Sequence, residues 1–511
     1  MLLGRACVLL PFGSAALKVG LASALAGAGA AAQTARLGEL VARRARCGNL
    51  PQASASAAAS EQAAAVAQPT LNDRLLGAAA GALFGFSYAA AFQAVRPEVY
   101  ALSALLVVSA ALELARFDER GDRRRLYLAA LWTGLALTNH HLLALALLGA
   151  TPIILFRRAA GPIAPAIARV TAAGALGLAT LAYLPLRALR HPLVDWGAPS
   201  TWPRFWWTIS AQAFQKSLAR AQAGDALAVV WALARELHPI GLLLAIGGAY
   251  VLARQPGRRR LGLFLVAAAL LDACAPALVG FDPENPDAYG YLEAAVALLA
   301  ALACAVPSAL AAHAKRPAFA VACALLAGAL TLGGFNFPRF SLAAAHDAEA
   351  TFGPFLDGAP PAATAVTSYY QTIFALYYLR AVEGRRPDVA LLHRHFLAYP
   401  GYAGEVVRRE PKLAPLLRDR DVDGPALAAG APSLVEYDLD LPDALVHASR
   451  LPSSPPSREP QARRFAGWQA FLAAHRACRI GDPTAFSQAL SSARELIGAA
   501  PELDSLAARC R

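Results

Sequence analysis

The chain has 511 residues, 57% of them hydrophobic and 16% charged, with a formal net charge of +12. Those proportions exclude an ordinary soluble globular protein, and basic residues gathered in short clusters without interleaved aromatics exclude a nucleic-acid groove as the source of the charge. Lysine occurs only at Lys18, Lys216, Lys315 and Lys412, and with abundant alanine and a single methionine this points to a GC-rich bacterial genome.

Apolar stretches follow one another over 16–34, 75–94, 98–115, 126–139, 142–156, 168–186, 237–253, 261–280, 288–307 and 317–335. Most approach the ~20 residues that cross ~30 Å of hydrocarbon, while 126–139 and 142–156 are short and must be half-buried by neighbours or tilt little, so the expected fold is a mostly α, polytopic helical membrane protein with about ten spans. Arginine gathers at every second gap: Arg36/Arg43/Arg44/Arg46, Arg116/Arg120/Arg123/Arg124/Arg125, Arg157/Arg158/Arg169, Arg254/Arg258/Arg259/Arg260 and Lys315/Arg316. The alternate short gaps hold only Arg96, so the positive-inside rule places the arginine-rich gaps in the cytoplasm. The N-terminus and everything after Phe335 then lie outside it. Met1 opens directly into LLGRACVLLPFG, with one arginine and no A-x-A site, which argues against a cleaved signal peptide. An outer N-terminus with no preceding span suggests a chain that begins late.

Residues 48–72 are an Ala/Ser/Gln-rich stretch expected to be a cytoplasmic linker. Within the membrane domain, 1–335, residues 187–236 read as an extracytoplasmic amphipathic segment. Trp202, Trp206 and Trp207 in it look like an interfacial aromatic belt that walls a groove for a lipid carrier. After Phe335 the composition shifts to Pro, Asp, Arg and mixed apolar residues, marking a soluble extracytoplasmic domain over 345–511. In it ATAVTSY and PDVALLH read as strands with the helix YYQTIFALYYLRAVEG between them, a βαβ order. The last fifty residues read as a helical hairpin broken at Gly-Asp-Pro, followed by a third short helix. The seven cysteines show no zinc spacing. Cys478 and Cys510, both in the tail, read as a disulfide or as two unpaired thiols.

Five local strings occur in an order that carries more information than any one of them: LLGRACVLLPFGSAALKVGLASAL, RPEVYALSALL, GLALTNHHLLAL, YLPLRA followed by HPLVDWGAPSTWPRF, and TSYYQTIFALYYLRAVEGRRPDVALL. Together they resemble a bacterial membrane-protein family of unknown function that is similar to the transmembrane-protein-260 type of protein O-mannosyltransferases and their GT-C-like fold. The resemblance implies transfer of a sugar from a polyprenyl-phosphate carrier to a protein or glycan acceptor on the extracytoplasmic side of a bacterial inner membrane. The family's first outer loop carries an Asp-Ser-Gly-Glu-like and a His-Pro-Pro-Gly-Tyr-Pro-like motif, both of which would precede LLGR. The expectation is therefore that a polypeptide beginning at Met1 shows little turnover and that an upstream extension restores it. A second departure is Thr367-Ser368-Tyr369-Tyr370, where the family shows Thr-Ser-Gly-Asp.

Glycosyl transfer to a hydroxyl needs a carboxylate to take the acceptor proton and cations to stabilise the leaving phosphate. The catalytic candidates are Glu98, at the outer end of a span in Arg96-Pro97-Glu98-Val99-Tyr100, and Asp272, a carboxylate well inside a span. Each has a plainer reading: an interfacial Glu paired with Arg96, and a helix broken at Pro276 that leaves Asp272 wet. His140 and His141 occupy a very short outer turn, and because adjacent residues point to different sides, at most one of them faces a site. Arg187 ends a span at head-group depth and reads either as a bidentate phosphate ligand or as a snorkelling side chain. Asp195, Trp196, Tyr289 and Tyr291 complete the substrate-binding candidates. Asp282, Glu284 and Asp287 offer ligands for a divalent cation, in a spacing that matches no calcium loop. A transporter or flippase of a lipid-linked substrate is the alternative function, and a non-catalytic membrane scaffold the third.

Overall fold

The computed structural model describes residues 2–46, 68–155, 163–215, 222, 224–283, 285–311, 315–343, 347–368, 370–418, 421–423, 433–435, 460–479 and 481–510. Most of the 48–72 linker expectation falls outside these residues. The helices in chain order are α1 (Leu2–Val8), α2 (Ala15–Arg46), α3 (Leu71–Gly85), α4 (Tyr88–Ala94), α5 (Tyr100–Arg120), α6 (Arg123–Asn139), α7 (His141–Leu155), α8 (Ile163–Leu178), α9 (Tyr183–Ala188), α10 (Trp202–Ile209), α11 (Asp225–Ala253), α12 (Arg259–Val279), α13 (Glu293–Ala303), α14 (Ala305–Ala311), α15 (Lys315–Phe340), α16 (Asp347–Asp357), α17 (Tyr370–Ala381), α18 (Tyr402–Arg409), α19 (Pro460–Arg479), α20 (Pro483–Ile497) and α21 (Pro501–Arg509). The chain forms two compact units, residues 1–182 with 214–342 and residues 183–213 with 343–511.

The first unit is a polytopic helical bundle. Seven described segments are long and apolar enough to cross a membrane: Ala15–Arg46, Tyr100–Arg120, Ala166–Ala188, Asp225–Ala253, Arg259–Val279, Pro286–Ala311 and Phe319–Phe340. The α3–α4 pair, bent by 67°, makes an eighth if it is one span. Residues 126–139 and 142–156 fall in α6 and α7, whose described lengths are 17 and 15 residues. At 1.5 Å per residue they reach only ~25 Å. The two are consecutive, so counting both as spans or neither leaves every other loop on the side that the arginines assign to it.

Three of the arginine-rich gaps meet at one end of this bundle. Arg43 at the end of α2 pairs with Glu119 at the end of α5 (2.7 Å), and Arg125 at the start of α6 pairs with Glu113 (2.9 Å). Arg258, before α12, donates to the carbonyl of Ala45 (3.4 Å). Asp73 is fully buried there. It closes a capping box with Thr70 at the start of α3 and pairs with Arg46 at 2.9 Å. The α2–α3 contact is made by small residues: a Cβ on Gly81 would lie 2.7 Å from the Ala31 carbonyl oxygen, so only glycine lets the two backbones approach this closely. Helix α11 is broken at His238, whose φ of 60° precedes Pro239, a residue that cannot donate to the preceding turn.

In the second unit the tail supplies a parallel sheet in the order β2 (Ala390–His393), β1 (Thr364–Thr367), β5 (Ser433–Val435), with Thr364 opposite Ala390 and Ser433. Helix α17 makes the crossover that a parallel β1–β2 pair requires, so the βαβ order read from the sequence is present. A short antiparallel pair, β3 (Leu417–Arg418) and β4 (Asp421–Val422), follows β2. The Gly-Asp-Pro break ends α19, and Asp482 caps α20 by accepting from the Ala485 amide at 2.9 Å. Cys478 and Cys510 are joined as a disulfide that ties the end of α19 to the end of α21. Residues 183–213 belong to this second unit and 214–236 to the first, which divides differently the single amphipathic segment expected over 187–236.

Candidate functional site

The opposite end of the first unit gathers the groups that chemistry needs. Short links converge there: the Gln93 amide donates to the Pro286 carbonyl (3.2 Å), Ser23 to that of Glu98 (3.3 Å) and Asn139 to that of Val99 (2.9 Å). Arg96 bridges two carboxylates, Asp287 at 2.5 Å and Glu98 at 3.7 Å. The Glu98 side chain keeps 36% exposure, and partial burial pushes its pKa above the ordinary carboxylate range, Arg96 opposing and Asp287 reinforcing the rise. Behind it Tyr100, Tyr291 and His140 pack as a ring cluster, with centroids 5.2 Å apart for Tyr100–Tyr291 and 5.3 Å for His140–Tyr291. A methyl group at Gly290 would overlap the Tyr100 ring, so the turn over Pro286–Leu292 is held against α5 by the absence of a side chain. His140 is half-buried in this cluster, and burial pushes its pKa down to about 4, leaving a neutral ring; His141 is exposed.

A line of cation–ring contacts leads from this cluster to a groove. The Arg96 guanidinium lies 4.9 Å over Phe92, whose ring is 5.3 Å from Tyr88, and the Arg339 guanidinium lies 4.5 Å over Tyr88. Tyr88 also meets Tyr289 edge-on at 5.3 Å. Arg339 and Arg235 are exposed and line a groove of about 1070 Å³ between α3, α11, α13 and α15. Its walls are otherwise largely apolar, with Trp231, Ile240 and Phe335 exposed in it. The strained His238 and Pro239 stand in the same wall.

The sequence candidates fall into three groups. Glu98, His140, Tyr289, Tyr291 and Asp287 share this end of the bundle. Asp272, expected as a second catalytic candidate, is 1% exposed and accepts from the Ala295 amide at 2.8 Å. Of the three residues expected to bind a cation, Asp282 and Asp287 are described. Glu284 lies outside the described residues, Asp287 is turned onto Arg96, and no group of three His, Cys, Asp or Glu among the described residues can hold a metal.

Arg187, Asp195 and Trp196 belong to the second unit. Arg187 is exposed at the end of α9, while Asp195 and Trp196 border a small recess with Tyr399, Tyr402, Glu405 and Arg409. Arg409 is committed to the carbonyls of Leu193 and Pro192 at 2.9 and 3.0 Å. Burial pushes the Asp195 carboxyl up, Glu405 adding to the rise and Arg409 opposing it.

Sequence reasoning missed Arg235, Arg339, Tyr88 and two further buried carboxylates, Glu236 and Glu293. The arginines carried a usable signal: each sits in a span away from the arginine-rich gaps, where the positive-inside rule makes a cation unexpected. Glu236 accepts from the Ala89 amide across 147 positions of sequence, a partnership no local pattern announces.

The fold and this site define a polytopic membrane protein with an arginine–carboxylate cluster beside an apolar groove. Residues 1–162 match the family model described as the protein O-mannosyl-transferase TMEM260 N-terminal domain, and the chain resembles that glycosyltransferase-like family over this segment. The matched segment contains Tyr88, Arg96, Glu98, Tyr100 and His140. Comparison with curated proteins gives no match.

Proposed function

We infer that this protein transfers a sugar from a polyprenyl-phosphate carrier to a hydroxyl of a protein or glycan acceptor, on the extracytoplasmic side of a bacterial inner membrane, with its tail on that same side. The observation that carries this reading is the apolar groove with Arg235 and Arg339 in its lining, joined through Tyr88 and Phe92 to the Arg96–Glu98–Asp287 cluster. A long isoprenoid chain suits the groove, and a phosphate suits the two guanidiniums.

The acceptor oxygen attacks the anomeric carbon as the bond from that carbon to the phosphate oxygen breaks. The electron pair leaves with the lipid phosphate, where the arginines offset the developing charge, and the hydroxyl proton passes to the Glu98 carboxylate. Arg96, clamped by Asp287, positions Glu98. The resemblance implied a base upstream of Met1; Glu98 supplies one within this chain. Broken helices lining a groove also suit a flippase, which would bind the lipid without consuming its sugar. Photo-crosslinking with a diazirine-bearing polyprenyl phosphate tests the groove: labelling of α11 and α15 that falls at least tenfold in Arg235→Ala/Arg339→Ala is expected, and unchanged labelling sinks the assignment.

A further inference from the structure

Helix α10 has two faces with different partners. On one, Trp207 packs on Tyr399 with centroids 5.4 Å apart, and the Thr208 hydroxyl donates to the Arg204 and Trp196 carbonyls at 2.9 and 3.3 Å. Trp196 itself meets Phe396 and Tyr399, each at 5.1 Å, so this face is continuous with the tail's aromatic core. On the other face Trp202, Phe205 and Trp206 contact one another at 5.4–6.4 Å, and Trp202 and Trp206 remain 68% and 49% exposed. Two indoles at i and i+4 form one stripe on a helix.

What covers this stripe is indicated by where the chain puts it. Helix α10 lies between two candidate membrane spans, Ala166–Ala188 and Asp225–Ala253, so both of its flanks are tethered to the bilayer. Indole rings favour the head-group level, where an apolar body and an N–H donor are both accommodated. Leading into the helix, Leu186 and Leu189 are exposed beside exposed Arg187 and Arg190, a pattern that meets acyl chains and anionic head groups together.

We propose that α10 is an in-plane membrane anchor: Trp202 and Trp206 seat in the lipid interface while Trp207 and Thr208 grip the tail, so the tail unit holds the bilayer through a helix of its own. This stands whether or not the chain transfers sugar.

The test places photoreactive benzoylphenylalanine at position 202, 206 or 207 of the full chain in phosphatidylethanolamine/phosphatidylglycerol vesicles. Probes at 202 and 206 should yield lipid adducts several-fold above the probe at 207, which should crosslink to the peptide around Tyr399. Crosslinks from 202 and 206 to protein would overturn the proposal. A conservative variant guards against misfolding: Trp202→Phe/Trp206→Phe should lower the fraction of tryptophan emission quenched by lipids brominated near the head group, and an unchanged fraction would equally overturn it.

Discussion

Acidification from pH 7 to pH 5 should loosen the tail's parallel sheet through one side chain, His393. The ring sits at the end of β2 with 0% exposure, Nδ1 2.9 Å from the Thr367 hydroxyl, Nε2 without a hydrogen-bond partner and Phe396 4.0 Å away. Burial, with a smaller push from His395, lowers its pKa to about 3 from an ordinary 6.5. A histidine whose native value is depressed binds fewer protons folded than unfolded, so its contribution is intact above pH 6.5 and drains away as pH falls towards 3. At pH 5 the native ring is still neutral while the unfolded one is almost fully protonated, so the loss depends mainly on the unfolded value and comes to about 2 kcal/mol. Asp388 and Asp421, held below the carboxylate range first by hydrogen bonds from Arg386 and Arg394, act only at lower pH. Hydrogen–deuterium exchange of peptides covering β1 and β2 in the full chain, corrected for intrinsic rates, should therefore speed up about 25-fold at pH 5, if these amides exchange by global opening of the unit. His393→Gln should flatten the response. If that variant keeps the wild-type pH dependence, His393 is not its source.

Two further outcomes follow from the bundle. Because burial and Asp287 raise the Glu98 pKa while Arg96 lowers it, the acid limb of a transfer-rate profile should lie above the ordinary carboxylate range, move higher in Arg96→Ala and lower in Asp287→Asn; a shared shift in both variants would remove Glu98 as the group observed. Reporters fused after Arg120 or Arg258 should be cytoplasmic, and those near Pro283 or after Arg385 should be outside, with the reverse pattern at either pair inverting the assignment of sides.

Much of the architecture was legible because its causes are local or periodic. The apolar lengths, the alternating arginines, the βαβ order and the Asp482-capped helical hairpin each arise within a few turns of chain. The shortness of α6 and α7 was equally visible as two brief apolar stretches. The site was half legible. Glu98, His140 and Tyr291 stand in short links between helices, where polarity is visible. Arg235 and Arg339 lie a hundred positions apart in sequence, and Arg339 reaches the cluster through the Tyr88 ring, while Glu236 depends on an amide in another helix. Such partnerships are products of packing, as is the contact of Asp272 with the Ala295 amide of α13: its position inside a span was readable, but that partner was not.

The most direct test of the central claim is turnover by the reconstituted chain with a polyprenyl-phosphate-linked sugar and a serine- or threonine-containing acceptor peptide, compared with Glu98→Gln. The expected result is transfer by the unaltered chain and a fall of about 10²–10⁴ in kcat for the variant, with lipid-phosphate crosslinking in the groove retained. Equal turnover in both, or transfer appearing only in an upstream-extended chain and indifferent to Glu98, would contradict the account and place the base elsewhere.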